Sequence, residues 1–278
     1  RVVSEQEGRT LPAGSAPDFG YSAIGGEART LENTDIVFDT RFIMPLANHL
    51  VSVGFEYKDA EVIDAAAGQG NAFKQDSRSV YAEDEWSLRD DLRLTLGGRY
   101  EDHSAFGGHF TPRAYIVWNT TDQWTLKTGV STGYKVPTPN ALHNGVTGFT
   151  AQGASVTLGS PNLKPEETTN YEIGTKWDLL DQRLSLAAAL FRTEKENARV
   201  LVNTNTYENI GETRVQGIEL SASGKLTDKW QVFAGYAYMD SEQVDGGPLG
   251  AANDGNELPN TPKNSASLWT TYQVTPKL

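Results

Sequence analysis

The sequence contains no cysteine, only two methionines and no long apolar run. Without cysteine, the 278 residues can form neither disulfide bonds nor thiolate metal sites. Acidic residues outnumber basic residues by 36 to 24, and the formal net charge of −12 argues against a nucleic-acid-binding protein. No segment approaches the roughly 18–20 apolar residues that a transmembrane helix needs. The mean hydropathy of −0.47 is that of a soluble protein.

The abundant residues favour β structure with many turns: the chain has 27 glycines, and one residue in ten is aromatic. Short polar turns recur at 45–49, 88–92, 119–123, 179–183 and 225–229, and a further one is expected at the C-terminal "TPKL". Longer connections rich in Gly, Asn, Pro and Ala lie between them, at roughly 6–33, 62–75, 135–166, 195–212 and 241–261. Among the connections that alternate with these turns, only the one near 103–108 is short. We therefore expect a sheet with tight hairpins at one end and long loops at the other.

The segments between the turns alternate apolar and polar residues with a period of two, which indicates β-strands. In 92–101, for example, Leu94 and Leu96 alternate with Arg93 and Thr95. The pattern predicts eleven strands, at 34–43, 49–61, 76–87, 92–102, 108–118, 124–134, 167–178, 184–194, 213–223, 229–240 and 262–274. Strands of this length exceed the roughly 5–6 residues usual in a soluble sandwich.

The tryptophans favour a membrane barrel over a soluble sheet. Five of the six lie within a few residues of a short turn, namely Trp86, Trp118, Trp124, Trp177 and Trp230. On several strands a tyrosine marks the opposite end, as in Tyr100, Tyr134, Tyr171 and Tyr238. Two aromatic belts separated by aliphatic residues are typical of a transmembrane β-barrel, and alternate residues facing a wet lumen explain the low hydropathy. A soluble β protein with ordinary core tryptophans is the alternative.

Several longer segments resemble the TonB-dependent outer-membrane receptors, and among them the ferric-catecholate siderophore receptors most closely. The residues that carry the likeness are "YAEDEWSLRDDLRLTLGGRYEDHSAFGGHFTPRAYIVWN" (81–119), "STGYKVPTPNAL" (131–142), "GSPNLKPEETTNYEIGTKW" (159–177), "ENIGETRVQGIELSASGKL" (208–226) and "ELPNTPKNSASLWTTY" (257–272). The resemblance implies an all-β, antiparallel transmembrane β-barrel of about 22 strands with a plug. It also implies the bacterial cell outer membrane as the location and TonB-dependent import of a ferric siderophore as the activity.

Eleven strands are too few to close a barrel of that size. We therefore expect residues 1–278 to be a partial TonB-dependent receptor β-barrel domain with roughly half of the strands, a piece of a mature protein. The plug domain, the segment that contacts the TonB complex and the C-terminal strands are expected outside this chain. Outer-membrane lipid and the TonB complex are the implied partners, and no nucleic acid is expected.

An anionic, aromatic iron chelate calls for basic and aromatic residues at the upper ends of the strands. The ligand-binding residues predicted first are Tyr134, Lys135, Arg192 and Lys195, followed by Arg78 and Arg113, with Lys74 and Lys263 in the wider set. We expect no catalytic residue, no metal ligand and no cofactor. Ser131 does match the G-x-S-x-G pattern of a nucleophile, but it lies in an alternating strand that no helix follows.

Other functions stay open at this point. His103 and His109 flank a short loop and could touch a chelate or a metal ion, although solvated loop histidines are commoner. Haem or cobalamin could replace the siderophore as substrate. A passive porin or structural barrel, such as an adhesin, is a second class, and an acidic extracellular β-domain that binds glycans is a third.

Overall fold

The structure is a computed structural model, and it describes residues 2–10, 14–16, 21–23, 26, 28–64, 72–150, 155–202 and 206–275. Within these residues the strands are β1 Val2–Thr10, β2 Gly14–Ala16, β3 Tyr21–Ala23, β4 Ala28–Leu46, β5 His49–Asp64, β6 Ala72–Arg89, β7 Leu92–His103, β8 Gly107–Thr121, β9 Trp124–Lys135, β10 Val146–Thr150, β11 Ser155–Leu158, β12 Glu166–Leu179, β13 Leu184–Glu196, β14 Arg199–Val202, β15 Thr206–Asn209, β16 Glu212–Thr227, β17 Trp230–Asp245 and β18 Asn264–Tyr272. Short 3₁₀ turns lie at Pro139–Leu142, Gly247–Leu249 and Ala251–Asn253. Among the described residues, no helix is both long and apolar enough to cross a membrane.

One antiparallel sheet dominates the described part of the chain. It has twelve strands in the order β1-β4-β5-β6-β7-β8-β9-β12-β13-β16-β17-β18. Eleven of them correspond to the predicted strands, and the expectation of eleven was one short. The additional strand, β1, pairs with β4 and has the sequence "VVSEQEGRT", which lacks the apolar alternation that identified the others. Several strands are also longer than predicted, and β4 reaches 19 residues.

The two ends of the sheet differ as the turn pattern predicts. Two-residue turns lie at 47–48, 90–91, 122–123 and 228–229, and a four-residue turn lies at 180–183. At the opposite end the turn at 104–106 is short, whereas the connections at 136–165, 197–211 and 246–263 are long. Of the connection predicted at 62–75, residues 65–71 lie outside the described residues, and the rest belongs to β5 and β6.

Two of the long connections are not the irregular loops that their composition suggested. They form a second, four-stranded sheet in the order β10-β11-β15-β14. A single parallel bridge, between Leu158 and Thr206, joins the two connections. The buried apolar side chains of this layer are Ala141, Val146, Leu163, Ala198 and Ile210. The long-loop end therefore contains buried apolar side chains as well as polar ones.

The register divides the main sheet into an apolar face and a polar face, because directly opposite residues lie on the same side. One row crosses seven strands as Leu94, Ile116, Thr128, Ile173, Leu190, Ile218 and Tyr238, and it defines the apolar face. The adjacent row, Thr95, Tyr115, Gly129, Glu172, Phe191, Gly217 and Met239, defines the polar face. The large side chains of the apolar face are mostly exposed, Leu190 and Ile173 among them.

Candidate functional site

The upper ends of β9, β12 and β13 bring two predicted basic residues to one carboxylate. Lys135 and Lys195 both lie on the polar face opposite Glu166 and Thr168 of β12. The Nζ atoms of Lys135 and Lys195 each lie 3.9 Å from a carboxylate oxygen of Glu166. The Glu166 side chain is only 17% exposed, against 75% for Lys135 and 41% for Lys195. Both ammonium groups are thus partly compensated but remain open to solvent.

Arg113 lies lower on the same face and is also paired. The Arg113 guanidinium on β8 contacts the Glu83 carboxylate on β6. Gly97 of β7 lies between the two residues and pairs with both. Close by, the Arg99 guanidinium donates to Glu56 Oε1 at 2.6 Å and to Glu101 Oε2 at 3.2 Å. At this height the polar face therefore carries basic and acidic side chains that pair with one another.

Arg192 and Arg78 lie on the apolar face. Arg192 is opposite Tyr171 and Gln216, one row above the apolar row of Leu190, and its guanidinium pairs with Glu194 on its own strand. Arg78 is opposite Tyr57, and its guanidinium carbon lies 6.0 Å from the centre of that ring. The two arginines therefore do not join Lys135 and Lys195 in one cluster.

Tyr134 lies beside a seam in the sheet, a place where the neighbouring strands β8 and β9 stop pairing. Pairing between β8 and β9 ends at Arg113 and Ser131, and no further pair of these two strands is formed above that level in the described residues. The next residue of β8 is Pro112, which has no amide hydrogen to donate, and the Thr132 hydroxyl donates to the Pro112 carbonyl instead, at 3.1 Å. Proline chemistry thus accounts for the interrupted ladder.

Side chains bridge this seam. The ring of His109 on β8 stacks on Tyr134 with centroids 4.0 Å apart and planes inclined by 13°. His109 Nδ1 also lies 3.9 Å from Glu167 Oε1 on β12. His103 is placed differently: it is 5% exposed, and its Nδ1 accepts a hydrogen bond from the Ala105 amide at 3.1 Å. Burial lowers the pKa of His103, which favours the neutral imidazole.

The wider set of predicted cations is likewise paired. Lys74 contacts Glu61, and Lys263 Nζ lies 2.6 Å from Glu257, whose carboxylate raises the pKa of Lys263. Sequence reasoning missed two other cations in the long connections. Among the side chains that the structure describes, Lys164 and Arg199 have no carboxylate within 4.0 Å, and the Arg199 guanidinium carbon lies 4.8 Å from the Tyr207 ring centre. No spacing pattern in the sequence marks these two residues, because the absence of a carboxylate near each cation depends on the tertiary structure.

The tryptophans near the short turns form a band on the apolar face. Trp124 is directly opposite Trp177, with ring centroids 6.3 Å apart, and its Nε1 donates to Thr175 Oγ1 at 2.7 Å. Trp118 Nε1 donates to Asp91 Oδ2 in the neighbouring turn at 2.9 Å. Trp269 differs, because it faces Phe233 on the polar face. Indole rings with a satisfied N–H beside a turn suit a membrane–water interface.

Long antiparallel strands with one apolar face, tight turns at one end and long loops at the other are the wall of an outer-membrane β-barrel. The chain belongs to the TonB-dependent receptor family, since the family described as "TonB dependent receptor-like, beta-barrel" matches residues 6–277. The fold class, the family and the outer-membrane location expected from the sequence are thereby confirmed. In barrels of this kind the apolar face of the wall generally meets lipid and the polar face lines the lumen.

Several relatives are named as siderophore receptors. The chain is 38% identical over 225 residues to the "Probable TonB-dependent siderophore receptor PiuA" of Acinetobacter baumannii, covering 73% of this chain and 30% of that protein. It is 40% identical over 124 residues to the "Catecholate siderophore receptor Fiu" of Escherichia coli, covering 44% of this chain and 16% of that protein. The crystal structure of the Acinetobacter baumannii siderophore receptor PiuA superposes with a TM-score of 0.64 at 26% identity, covering 90% of this chain and 45% of that one. The chain thus spans less than half the length of each of these relatives.

Proposed function

We propose that the receptor to which this chain belongs binds a ferric siderophore of the catecholate class and imports it by TonB-dependent active transport. The observation that carries the proposal is the 40% identity over 124 residues to a protein named as a catecholate siderophore receptor. The PiuA relative, named as a siderophore receptor, supports the broader class. Residues 1–278 act in this proposal as one part of the barrel domain, and the receptor performs no catalysis.

The charges of the long-loop end support an anionic, aromatic ligand. Lys135 and Lys195 present exposed ammonium groups on the lumen side of the rim. Arg199 lies on the ring of Tyr207, and no carboxylate among the described side chains pairs with it, so its guanidinium keeps its capacity to bind an anion. Ferric catecholates combine negative charge with aromatic rings, and both features have counterparts here.

The proposed ligand residues divide by face. Lys135, Lys195 and Arg113 are placed first, because they lie on the lumen side. Tyr134, Arg192 and Arg78 remain proposed rim residues whose strand register lies on the apolar face. Outer-membrane lipid is the proposed partner of the apolar rows, and the TonB complex is the proposed partner of a segment outside this chain.

A titration of the full-length receptor in detergent tests the proposal. We expect saturable binding of ferric enterobactin, a catecholate, and no comparable binding of haem or cobalamin. Binding of haem or cobalamin alone would support a TonB-dependent receptor but contradict a ferric siderophore as its substrate. A passive porin instead predicts a steady open conductance in planar bilayers without any ligand, and that result would overturn import by a receptor.

A further inference from the structure

Glu166 lies at the base of both loops that fold into the second sheet. We name residues 136–165 loop A and residues 197–211 loop B. Glu166 is the first residue after loop A, and Lys135 is the last residue before it. Lys195 stands two residues before loop B, and the backbone amide of Arg199 within loop B donates to Glu166 Oε1 at 2.9 Å. One poorly exposed carboxylate thus meets the bases of both loops.

Asn209 makes a second connection at the same place. Its Oδ1 accepts from the Lys164 amide at 2.7 Å, and its Nδ2 donates to the Lys164 carbonyl at 3.2 Å. Nδ2 also donates to the Asn197 carbonyl at 2.5 Å. One amide side chain therefore joins the end of loop A to both the beginning and the end of loop B.

The local backbone is shaped to hold these contacts. Asn197 has a left-handed conformation with φ of 53°, which turns the chain at the start of loop B. The Asn197 amide donates to the Gly211 carbonyl at 2.8 Å and the Ile210 amide to the Ala198 carbonyl at 2.9 Å, which closes the base of that loop. Leu163, Ala198 and Ile210 are buried, and each is the sequence neighbour of a residue in these contacts, namely Lys164, Asn197 and Asn209. The hydrogen bonds to the Asn197 carbonyl and to Glu166 Oε1 are partly buried, whereas the two between Asn209 and Lys164 are exposed.

Glu166, Lys164 and Asn209 belong to two of the segments that resemble the TonB-dependent receptors, 159–177 and 208–226. Glu166 and Lys164 belong to "NLKPE" (162–166), and Asn209 belongs to "ENIG" (208–211). Siderophore binding as described above gives Glu166 and Asn209 no direct contact with the ligand, since neither offers a positive charge to an anionic ligand.

We propose that Glu166 and Asn209 form a latch that makes loops A and B one cooperative unit. With the latch closed, local opening of either loop breaks the hydrogen bonds that hold it to the other, so the two loops open together. Glu166 and Asn209 are positioning residues, and they act on the ligand only through the loops. The coupling itself requires no ligand, whereas its use in closing over a siderophore rests on the function proposed above.

Hydrogen exchange of the full-length receptor in detergent tests the coupling. The perturbing change is Val146→Ala in loop A, because Val146 is 1% exposed. Loss of a buried aliphatic side chain should raise amide exchange in 139–148 by about tenfold or more. With an intact latch, exchange in 206–211 of loop B should rise by a similar factor. In an Asn209→Ala background the rise in loop A should persist, and the rise in loop B should disappear.

Matched variants separate the latch from general damage. Asn209→Asp keeps the side-chain size and the acceptor for the Lys164 amide but removes both donated hydrogen bonds, and it should uncouple the loops even if Asn209→Ala unfolds loop B. Glu166→Gln should weaken the coupling, whereas Glu167→Gln should not, because the adjacent Glu167 faces the other side of the sheet. Heat-modifiable gel mobility verifies that each barrel is folded.

Two results would overturn the latch. One is unchanged loop B exchange when Val146→Ala is introduced into the otherwise native receptor. The other is equal transmission to loop B with and without the Asn209→Asp change. Neither result depends on a siderophore. A receptor whose loops are coupled but which binds no ferric enterobactin would therefore support the latch and contradict the proposed substrate.

Discussion

Tyr115 covers Gly129 across the β8–β9 pair so closely that a Cβ atom at position 129 would lie 2.2 Å from the Tyr115 ring. The Tyr115 hydroxyl then donates to Ser131 Oγ at 3.0 Å. Tyr81 covers Gly54 in the same manner, with a Cβ atom at position 54 placed 2.2 Å from Tyr81 Cζ. Glycine at these positions lets a lumen-facing aromatic ring lie flat along the wall.

We therefore expect Gly129→Val to destabilise the folded receptor by about 1–3 kcal/mol, the usual cost of overpacking a tight contact. Gly133 is the matched control, because it lies on the same strand and face and a Cβ there would meet only Thr168, at 3.7 Å. Urea unfolding of the full-length receptor measures the difference. Equal midpoints for Gly129→Val and Gly133→Val would show that the ring can move aside without cost.

The two faces of the wall lead to a second prediction. Leu94 lies in the apolar row and Thr95 in the polar row. An arginine near the middle of the bilayer costs about 2–4 kcal/mol, whereas an arginine in a wet lumen does not. Leu94→Arg should accordingly reduce folding into lipid vesicles far more than Thr95→Arg. A larger loss for Thr95→Arg would reverse the assignment of lipid and lumen sides.

The aromatic band can be tested with lipids that carry bromine. Receptors that retain a single tryptophan at position 118, 124, 177 or 230 should lose fluorescence in brominated vesicles, because these rings lie on the lipid-facing side near the membrane boundary. A receptor that retains only Trp269 should be quenched much less, since Trp269 is on the lumen face. Uniform quenching of all five receptors would contradict the difference between the faces.

His103 should make the short-turn region near 104–106 sensitive to acid. Burial lowers its pKa below the ordinary value of 6.5, although Glu101, Asp76 and Asp102 oppose this shift and Lys58 adds to it. A basic group whose pKa is lowered on folding supports the folded state fully above its unfolded pKa and less as the pH falls through 6.5 toward the folded pKa. The thermal midpoint should therefore fall more between pH 7.5 and about pH 5.5 for the native receptor than for His103→Gln. An equal fall in both would assign the acid sensitivity to other groups.

The strands could be predicted from the sequence because each one carries its own alternation between lipid and lumen. The apolar face of β7, with Leu94 and Leu96, is visible in "LRLTLGGRY" without knowledge of any neighbour. The same rule places Arg192 on the apolar face, two residues after Leu190, whereas its charge favours a position at the rim. Local alternation is stronger guidance than residue charge in such a wall.

The loop layer and the partners of the basic residues could not be predicted. The second sheet joins β11 to β15 across some fifty residues of chain, through the single Leu158–Thr206 bridge. The pairing of Lys135 and Lys195 with Glu166 depends on the register of three strands. Both features are set by tertiary contacts, and neither leaves a periodic mark in the sequence.

The last prediction concerns charge at the proposed ligand entrance. The double change Lys135→Glu with Lys195→Glu replaces two ammonium groups on the lumen side by carboxylates and leaves Glu166 among like charges. Charge-assisted hydrogen bonds contribute about 1.5–3 kcal/mol each when shielded from water, so the affinity for ferric enterobactin should fall by tenfold or more.

Lys176→Glu is the control, because Lys176 lies on the same face near the short turns, where it pairs with Asp178 at 2.9 Å. Affinity is measured by titration in detergent, with heat-modifiable mobility to verify folding. A folded double variant with the native affinity would remove both lysines from the site, and a comparable loss in Lys176→Glu would show that overall charge, and not this rim, attracts the chelate.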